Sequence, residues 1–457
     1  MTTQQFDVIV LGMGPGGEDL AGSLASAGLA VLGVERHLVG GECPYYGCIP
    51  SKMIVRAADL LAEARRVDTL AGSATVRPDF TVVADRIRDE ATDDWNDAVA
   101  VDRFVGKGGT LARGAGRLAG PRRVVVGGDE YTARRGVVIA TGTSPAIPPV
   151  PGLAEAHPWT NRDIVKVRAV PSSMIVMGGG AIGLELAQAF GRFGCTVTVV
   201  EALDRILAPE EPETSELLAS VLRGEGIDIR TGQAATAVRR DGQVVMTLAG
   251  GSEIRADEVL VAAGRTPNLR GIGLGSVGLD ETARPSFTVD EHMRVVGHEG
   301  LWAIGDVAGK GAFTHMAVYQ AGVAADDIMG VAEPRVAQDH AVSRVTFTDP
   351  EVGSVGMTEA QARQAGLRVQ VGLADSSTSS RGWLHGAGND GLMKLVADAD
   401  RGVLVGATSV GPRGGEVLSM FNLAVHARVP IAELRSMIYA YPTFYLGALD
   451  ALGALRA

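Results

Sequence analysis

Two stretches of the chain share one order of apolar and polar positions. Each begins with a short apolar run of β type, at residues 6–11 in the first stretch and 174–177 in the second. Each run leads into a glycine-rich turn, an Ala- and Leu-rich helical stretch, and a second apolar run that ends at an acid, Glu35 or Glu201. This order of strand, helix and strand predicts two βαβ units with parallel strands.

The turn of the first unit has the spacing Gly-x-Gly-x-x-Gly. Gly12 allows a tight turn, Gly14 lets the backbone approach a pyrophosphate at the helix N-terminus, and Gly17 allows close packing of helix on strand. Glu35 ends the following strand, where an acid accepts hydrogen bonds from ribose hydroxyls. Strand, helix and acid all lie where this mechanism needs them, so we predict a dinucleotide site.

The second turn repeats the spacing at Gly178, Gly180 and Gly183. The chain therefore has two predicted dinucleotide sites. The carboxylate of Glu201 is expected to pair with a ribose 2′-hydroxyl and to repel a 2′-phosphate, which favours NADH over NADPH. Arg205 lies nearby in the sequence and leaves NADPH open.

The pattern changes from about residue 335. Alternating runs at 343–348 and 391–396 predict strands, and helices are predicted near 359–365, 415–427 and 431–437. This part has no glycine-rich nucleotide turn. We predict a separate α+β domain.

Composition narrows the function classes. The net charge of −11 argues against a nucleic-acid or anionic-membrane partner. No apolar run approaches the roughly 20 residues of a membrane span, and the first residues lack the basic segment of a secretory signal. A chain of 457 residues suggests about three domains, and we expect a cytoplasmic protein.

Two of the three cysteines, Cys43 and Cys48, lie five residues apart in a Gly- and Pro-rich run. Five residues of regular helix rise about 7.5 Å, beyond the roughly 4.4–6.8 Å between Cα atoms that a disulfide tolerates. The pair can therefore close only where the helix is distorted, which Pro44 and Gly47 permit. A structural disulfide or a metal site is the alternative, but the remaining cysteine, Cys195, is distant, and a working dithiol is favoured.

The segment Gly-Gly-x-Cys-x4-Cys-Ile-Pro-Ser-Lys at residues 40–52, both glycine turns, and the segments 140–142, 305–306 and 347–356 together resemble the pyridine nucleotide–disulfide oxidoreductase family over nearly the whole chain. Its members include lipoamide dehydrogenase, glutathione reductase and mercuric reductase. The resemblance implies an α/β fold with two Rossmann-like dinucleotide-binding domains, for FAD and NAD, and a C-terminal α+β dimerisation domain. The expected boundaries are 1–148 and 268–334 for FAD, 149–267 for NAD(P), and 335–457 for dimerisation.

The resemblance also implies roles for individual residues. FAD is expected at Gly12, Gly14, Gly17, Glu35, Arg36, Gly41, Lys52, Gly116, Thr141, Gly142, Asp306, Ala312, Thr314 and His315. NAD(P)H is expected at Gly178, Gly180, Gly183, Glu201 and Gly264. Catalytic roles are expected for Cys48 as the thiolate against the flavin, for Cys43 as the sulfur that meets substrate, for Lys52 paired with Glu185 near the flavin, and for Tyr441.

The chain departs from the family pattern at the C-terminus. Disulfide reductases of the family supply a His–Glu pair across the dimer interface as acid and base, whereas this chain has Tyr441 and Leu446 at those positions. A tyrosine hydroxyl stays protonated near pH 7 and is a poor base. Glu42 also replaces the usual threonine, and a carboxylate close to Cys43 would raise the pKa of its thiol by like-charge repulsion; variant packing is the equal alternative.

These observations predict a homodimer, with the active site shared across its interface, that reduces a small-molecule electron acceptor. Electrons are expected to pass from NADH through FAD to the Cys43–Cys48 disulfide and on to a disulfide or related sulfur substrate. The alternative is a quinone, dye or metal-ion reductase. No resident metal site is predicted.

Overall fold

The computed structural model describes residues 4–280 and 286–456. The chain divides into two compact units, each assembled from three segments. The first contains residues 1–50, 85–145 and 265–339, and the second contains 51–84, 146–264 and 340–457. Two helices, Cys48–Arg65 and Phe80–Arg86, cross the unit boundaries. The three-domain division expected from the sequence stays a prediction.

The first unit is built on a seven-stranded sheet. Its strands in spatial order are Thr110–Arg113, Val31–Glu35, Gln4–Leu11, Asp129–Ile139, Arg123–Val126 and Gly116–Leu118, with Leu301–Ala303 paired to Asp129–Ile139. The strand Gln4–Leu11 is parallel to both of its neighbours. Its last four residues are buried, as expected of a central parallel strand covered on both faces. A two-stranded ladder pairs Thr143–Pro145 with Arg265–Pro267.

The α-helices within this unit are Pro15–Ser26, Glu42–Tyr46, Ala98–Gly106 and Thr314–Met329. Shorter elements are the π-helix Ile87–Ala91 and the 3₁₀ turns Leu274–Val277 and Gly305–Ala308. Pro15 begins its helix at the first position, where the fixed φ of proline suits the helix and its missing N–H costs nothing. The apolar faces of these helices and of the sheet form two buried clusters.

The second unit contains three sheets. A parallel sheet has the order Asp228–Arg230, Thr196–Val200, Ser173–Met177, Glu258–Val261; an antiparallel sheet has Ala235–Asp241, Gln243–Leu248, Glu253–Ala256. A five-stranded antiparallel sheet has the order Ser343–Thr346, Glu351–Gly356, Val403–Gly411, Leu392–Asp398, Val369–Asp375.

The α-helices within this unit are Asn161–Ile164, Ala181–Arg192, Pro212–Gly224, Glu359–Gln364, Ser380–His385, Gly414–His426, Ile431–Ser436 and Ala448–Gly453. The 3₁₀ turns are Val67–Thr69 and Phe444–Gly447. Both predicted βαβ units and the predicted α+β texture of the C-terminal part are confirmed.

Candidate active site

The two cysteines lie at a break between two helices. Cys43 is in the helix Glu42–Tyr46, and Cys48 begins the helix Cys48–Arg65. Gly47 separates them with a non-helical backbone, φ −127° and ψ −110°. The predicted distortion is confirmed, because the chain does not continue as one regular helix between the cysteines. The two cysteines are not joined by a disulfide, and both are half-buried.

The environment of the thiols holds Cys43 protonated. A hydrogen bond between the two thiols, followed by burial, raises the pKa of Cys43 well above its ordinary range. The hydroxyl of Thr314, in the first turn of the helix Thr314–Met329, lies 3.4 Å from the Cys48 sulfur. Thr314 was expected at the flavin, and the structure brings it to the sulfur expected to lie against the flavin.

Glu42, the residue before Cys43, is the first member of a series of polar contacts that ends at Asp306. The Glu42 carboxylate lies 3.6 Å from the Arg265 guanidinium. Arg265 donates to the hydroxyl of Thr143 at 2.6 Å and to its carbonyl at 2.8 Å, and the Thr143 hydroxyl donates to Asp306. Glu42 therefore has a cationic partner, while hydrogen bonding to Cys48 and burial lead the causes of the raised Cys43 pKa.

Lys52 follows Cys48 by four residues, one turn along the same helix. Its ammonium lies 2.6 Å from Oε2 of Glu185, and Oε1 of Glu185 accepts the N–H of Phe347 at 2.8 Å. Glu185 is only 3% exposed, so both of its oxygens are used in the interior. The expected Lys52–Glu185 pair is present in the structure.

The first glycine turn leaves space where a pyrophosphate is expected. A Cβ on Gly12 would lie 2.4 Å from the Ala140 carbonyl oxygen, and one on Gly17 would lie 2.0 Å from the Gly12 oxygen. A Cβ on Gly14, in contrast, would meet nothing within 4 Å. Gly41 lies against this turn, since its Cβ would be 2.7 Å from the Gly14 Cα. Close packing on one side and open space on the other fit a bound dinucleotide.

Two further features fit a cofactor at this turn. The Thr141 hydroxyl is buried and has no hydrogen-bond partner among the described residues, and buried polar atoms are almost always bonded. Gly142, with φ +61°, has open space where a Cβ would be. Gly116 is different, because its Cβ would meet Val34 and Leu11 side chains within 3 Å. We interpret Gly116 as a packing position at the start of its strand, Gly116–Leu118.

The acids of the two nucleotide turns have the same hydrogen bonds. Glu35 accepts the N–H of Met13 at 2.8 Å and of His37 at 2.7 Å. Glu201 accepts the N–H of Gly179 at 2.7 Å and, two residues beyond itself, that of Leu203 at 2.8 Å. Each carboxylate therefore holds its glycine turn in place. The hydroxyls of a bound ribose would donate further hydrogen bonds to the same carboxylate.

The second turn repeats the packing of the first. A Cβ on Gly178 would lie 2.4 Å from the Ala262 oxygen, one on Gly183 would lie 2.2 Å from the Gly178 oxygen, and Gly180 and Gly264 face open space. The Arg205 guanidinium is occupied, because it donates to the carbonyls of residues 207, 208 and 210 and to the Ser215 hydroxyl.

The remaining expected residues lie at the surface. Arg36, Ala312 and His315 are exposed, and the His315 ring stacks on Phe313 with 5.2 Å between ring centroids. Tyr441 is 73% exposed. Leu446, expected at the second position of the family's acid–base pair, is partly buried against the core of the C-terminal sheet.

Sequence reasoning assigned no role to Arg265, Thr143, Phe347 or Trp95. Arg265 begins the short strand Arg265–Pro267, and no local signal in the sequence links it to Glu42. Among the described residues, no group of three or more His, Cys, Asp or Glu could hold a metal ion. No helix there is long and apolar enough to cross a bilayer.

Comparison with known proteins finds matches to two family models, which together cover most of the chain. Residues 6–321 match the model described as pyridine nucleotide-disulphide oxidoreductase, and 342–447 match the dimerisation domain of that family. The dihydrolipoyl dehydrogenase of Thermus scotoductus is 35% identical over 466 residues, covering 99% of this chain and 97% of that protein.

Two further comparisons widen the range of relatives. The mercuric reductase of Shigella flexneri is 32% identical over 448 residues, covering 95% of this chain and 78% of that protein. Among solved structures, the HOCl-induced flavoprotein disulfide reductase RclA from Escherichia coli has a TM-score of 0.85 at 24% identity, covering 98% of this chain and 99% of that chain. This last similarity is one of fold.

Proposed function

Because the chain belongs to the pyridine nucleotide-disulphide oxidoreductase family, whose enzymes use FAD and NAD(P)H, we propose that it reduces a disulfide or related sulfur substrate through Cys43 and Cys48. The observation that carries this proposal is the meeting of the two thiols at the helix break, with Thr314 against Cys48. When bound, FAD supplies two-electron transfer between the nicotinamide and this pair.

Individual residues are proposed to bind FAD and to position the Cys48 sulfur. Gly14, Thr141 and Asp306 are proposed to hold FAD, with open space at the glycine and a bonding partner missing at the threonine in support. Thr314 orients the Cys48 sulfur, and Lys52 keeps a positive charge one helical turn from it. A nearby cation favours a thiolate over a thiol.

We propose NADH as the preferred donor. The Glu201 carboxylate lies at the ribose end of the second turn, where it disfavours a 2′-phosphate. Arg205, the cation closest in sequence, is already bonded to three carbonyls and a hydroxyl. It therefore has little capacity left to bind a 2′-phosphate.

We propose that the enzyme works as a homodimer in the cytoplasm, with an acid–base arrangement different from the family's usual one. The dimerisation-domain match supports the dimer, and a dithiol that cycles fits a reducing compartment. The partner subunit's Tyr441 would donate a hydrogen bond to substrate, since the His–Glu pair is replaced by Tyr441 and Leu446.

The test is an anaerobic titration of the FAD enzyme with NADH. A long-wavelength thiolate-to-flavin absorption band at two electrons per subunit, with two newly alkylated thiols, is expected. Cys43→Ser should abolish disulfide reduction, whereas the matched control Cys195→Ser, at a buried cysteine, should leave it unchanged. Flavin bleaching without the band and without new thiols would contradict the proposal.

Reduction of a metal ion is the second candidate, favoured by the similarity to mercuric reductase and by the lack of a general base at Tyr441. Because the described residues hold no three-ligand cluster, the ion would have to bind at the dithiol itself. Turnover with a soft metal ion that survives Cys43→Ser would exclude this route. A gain in disulfide reduction in Tyr441→His, without a gain in metal reduction, would indicate that the native substrate does not need the base.

A further inference from the structure

The segment 87–95, which contacts the helix Glu42–Tyr46, has an unusual backbone. The π-helix Ile87–Ala91 is followed by three consecutive non-glycine residues with positive φ: Asp93 at 47°, Asp94 at 52° and Trp95 at 57°. Aspartate tolerates this region through local hydrogen bonds, but a bulky residue such as tryptophan is an outlier there. Strained residues of this kind persist only where the surrounding structure holds them.

Local hydrogen bonds hold this segment. Thr92 is 1% exposed; its hydroxyl donates to the Ile87 carbonyl at 2.9 Å and accepts the N–H of Trp95 at 3.3 Å. The N–H of Asp94 donates to the Arg88 carbonyl at 2.7 Å. These bonds fix the backbone from which the Trp95 side chain extends.

Trp95 and the nearby Asp97 each bond to the chain around Cys43. The Trp95 indole N–H donates to the Tyr45 carbonyl at 3.0 Å, and Tyr45 lies between the two cysteines in the helix Glu42–Tyr46. The Asp97 carboxylate, which is buried, accepts the N–H of Val39 at 2.6 Å and is paired with Arg113 at 2.6 Å. The bond to Val39 lies before the helix Glu42–Tyr46, and the bond to Tyr45 lies within that helix.

We propose that Trp95 is a positioning residue that holds the helix Glu42–Tyr46, and with it Cys43, in the dithiol arrangement. The inference rests on the proposed function, because it assigns a role to Trp95 in the redox step of that same pair. A sulfur–sulfur bond is about 2.05 Å long, shorter than any hydrogen bond between thiols. Closing the disulfide therefore requires the two sulfur atoms to approach. Where this approach draws on movement of the helix Glu42–Tyr46, the bond from the Trp95 indole to the Tyr45 carbonyl opposes it.

The redox step is balanced by the established cofactors. Opening the disulfide adds two electrons, supplied by the nicotinamide donor, and breaks the sulfur–sulfur bond. Cys43 takes up one proton and becomes a thiol, and Cys48 becomes a thiolate. Closing the pair passes the two electrons to the electron acceptor and releases the Cys43 proton.

The test is the thiol–disulfide equilibrium of the FAD-loaded full chain. Wild type and Trp95→Phe, which keeps a ring but lacks the N–H, are equilibrated in buffers of reduced and oxidised dithiothreitol. Free Cys43 is then trapped by alkylation and counted by mass spectrometry. A neutral hydrogen bond contributes a factor of about five to an equilibrium. We expect Trp95→Phe to shift the pair about fivefold toward the disulfide, equivalent to a midpoint about 20 mV lower.

A matched control separates this effect from general loss of a tryptophan bond. The Trp302 indole N–H donates to the Asp327 carboxylate at 2.9 Å in the same unit, so Trp302→Phe removes an indole hydrogen bond, to a charged acceptor, away from the cysteines. It should leave the midpoint unchanged. Trp95→Leu repeats the test if Trp95→Phe does not retain FAD.

The outcomes distinguish the two proposals. A midpoint in both Trp95 variants equal to that of wild type, or an equal shift in Trp302→Phe, overturns the role of Trp95 and leaves the proposed function intact. A wild-type chain whose cysteines never interconvert across the buffers overturns both. A fivefold shift confined to the Trp95 variants supports the inference.

Discussion

The pKa of the Cys43 thiol is raised well above its ordinary range. Its hydrogen bond to Cys48 is the largest cause of its raised pKa, and burial and the charge of a Cys48 thiolate add to it. Cys48→Ala removes the bonding partner and the charge together. We expect the pKa of Cys43 to fall in this variant toward the level that burial alone sets.

The rate of alkylation gives the size of the effect. For each unit by which a thiol's pKa rises above the working pH, its thiolate fraction falls tenfold, while the thiolate becomes only about threefold more nucleophilic. The net loss is about threefold per unit. Because the shift at Cys43 is large, Cys43 in Cys48→Ala should react with iodoacetamide at least about tenfold faster at pH 8 than in the reduced wild type.

The assay follows the Cys43 peptide by mass spectrometry in the reduced FAD enzyme, between about pH 6 and 10. Cys195 is the internal reference, because burial raises the pKa of its thiol to about 12 and it should react slowly in both proteins. Equal rates for Cys43 in wild type and variant at pH 8 would refute the thiol–thiol coupling. So would a wild-type rate that levels off below pH 8.

Three further predictions follow from single contacts. Glu185→Gln keeps an acceptor for the Phe347 N–H and should lose about 1 kcal/mol in urea unfolding, whereas Glu185→Ala leaves that N–H and a lysine unpaired and should lose about 3 kcal/mol; equal losses would contradict the two-bond geometry. Burial raises the pKa of Asp59 to about 6 from 3.8, so the contribution of this group to stability falls as the pH rises between those values. Asp59→Asn should therefore make the melting temperature less dependent on pH in that range. Gly14→Ala should weaken FAD binding in a fluorescence titration without lowering the apoprotein's melting temperature, and Gly106→Ala, which also meets open space, should leave FAD binding unchanged.

The parts of the fold that repeat a local pattern could be predicted from the sequence. The βαβ units required only alternation of strand and helix periods with a glycine turn, and both glycine turns have the packing that the spacing implies. The helix break between the cysteines followed from a length argument, because five residues of helix are too long for a disulfide. In each case the information lies within about 30 residues of chain.

The contacts that could not be predicted join residues far apart in sequence. Arg265 reaches Glu42, and Thr143 reaches Asp306; neither pairing has a periodic signal, because it depends on which strand ends the sheet brings together. The positive φ values at residues 93–95 were also unforeseen, since tryptophan and aspartate carry no glycine-like mark in the sequence. The sequence left open whether Glu42 raises the pKa of Cys43 by like-charge repulsion or is variant packing, because nothing near Glu42 in the sequence indicates its partner Arg265.

The chemistry at Cys43 bears on the choice of acceptor. At neutral pH its thiol is held protonated, and the proposed replacement of the His–Glu pair by Tyr441 and Leu446 would leave this thiol without a general base. Attack on a disulfide requires a thiolate. The raised pKa of Cys43 and the proposed lack of a general base would therefore both slow that reaction. A soft metal ion meets a smaller barrier, because binding to sulfur itself drives off the proton. Disulfide reduction by this chain should therefore rise steeply with pH, and metal-ion reduction should rise less, so the pH profile with each acceptor discriminates between the two candidate functions.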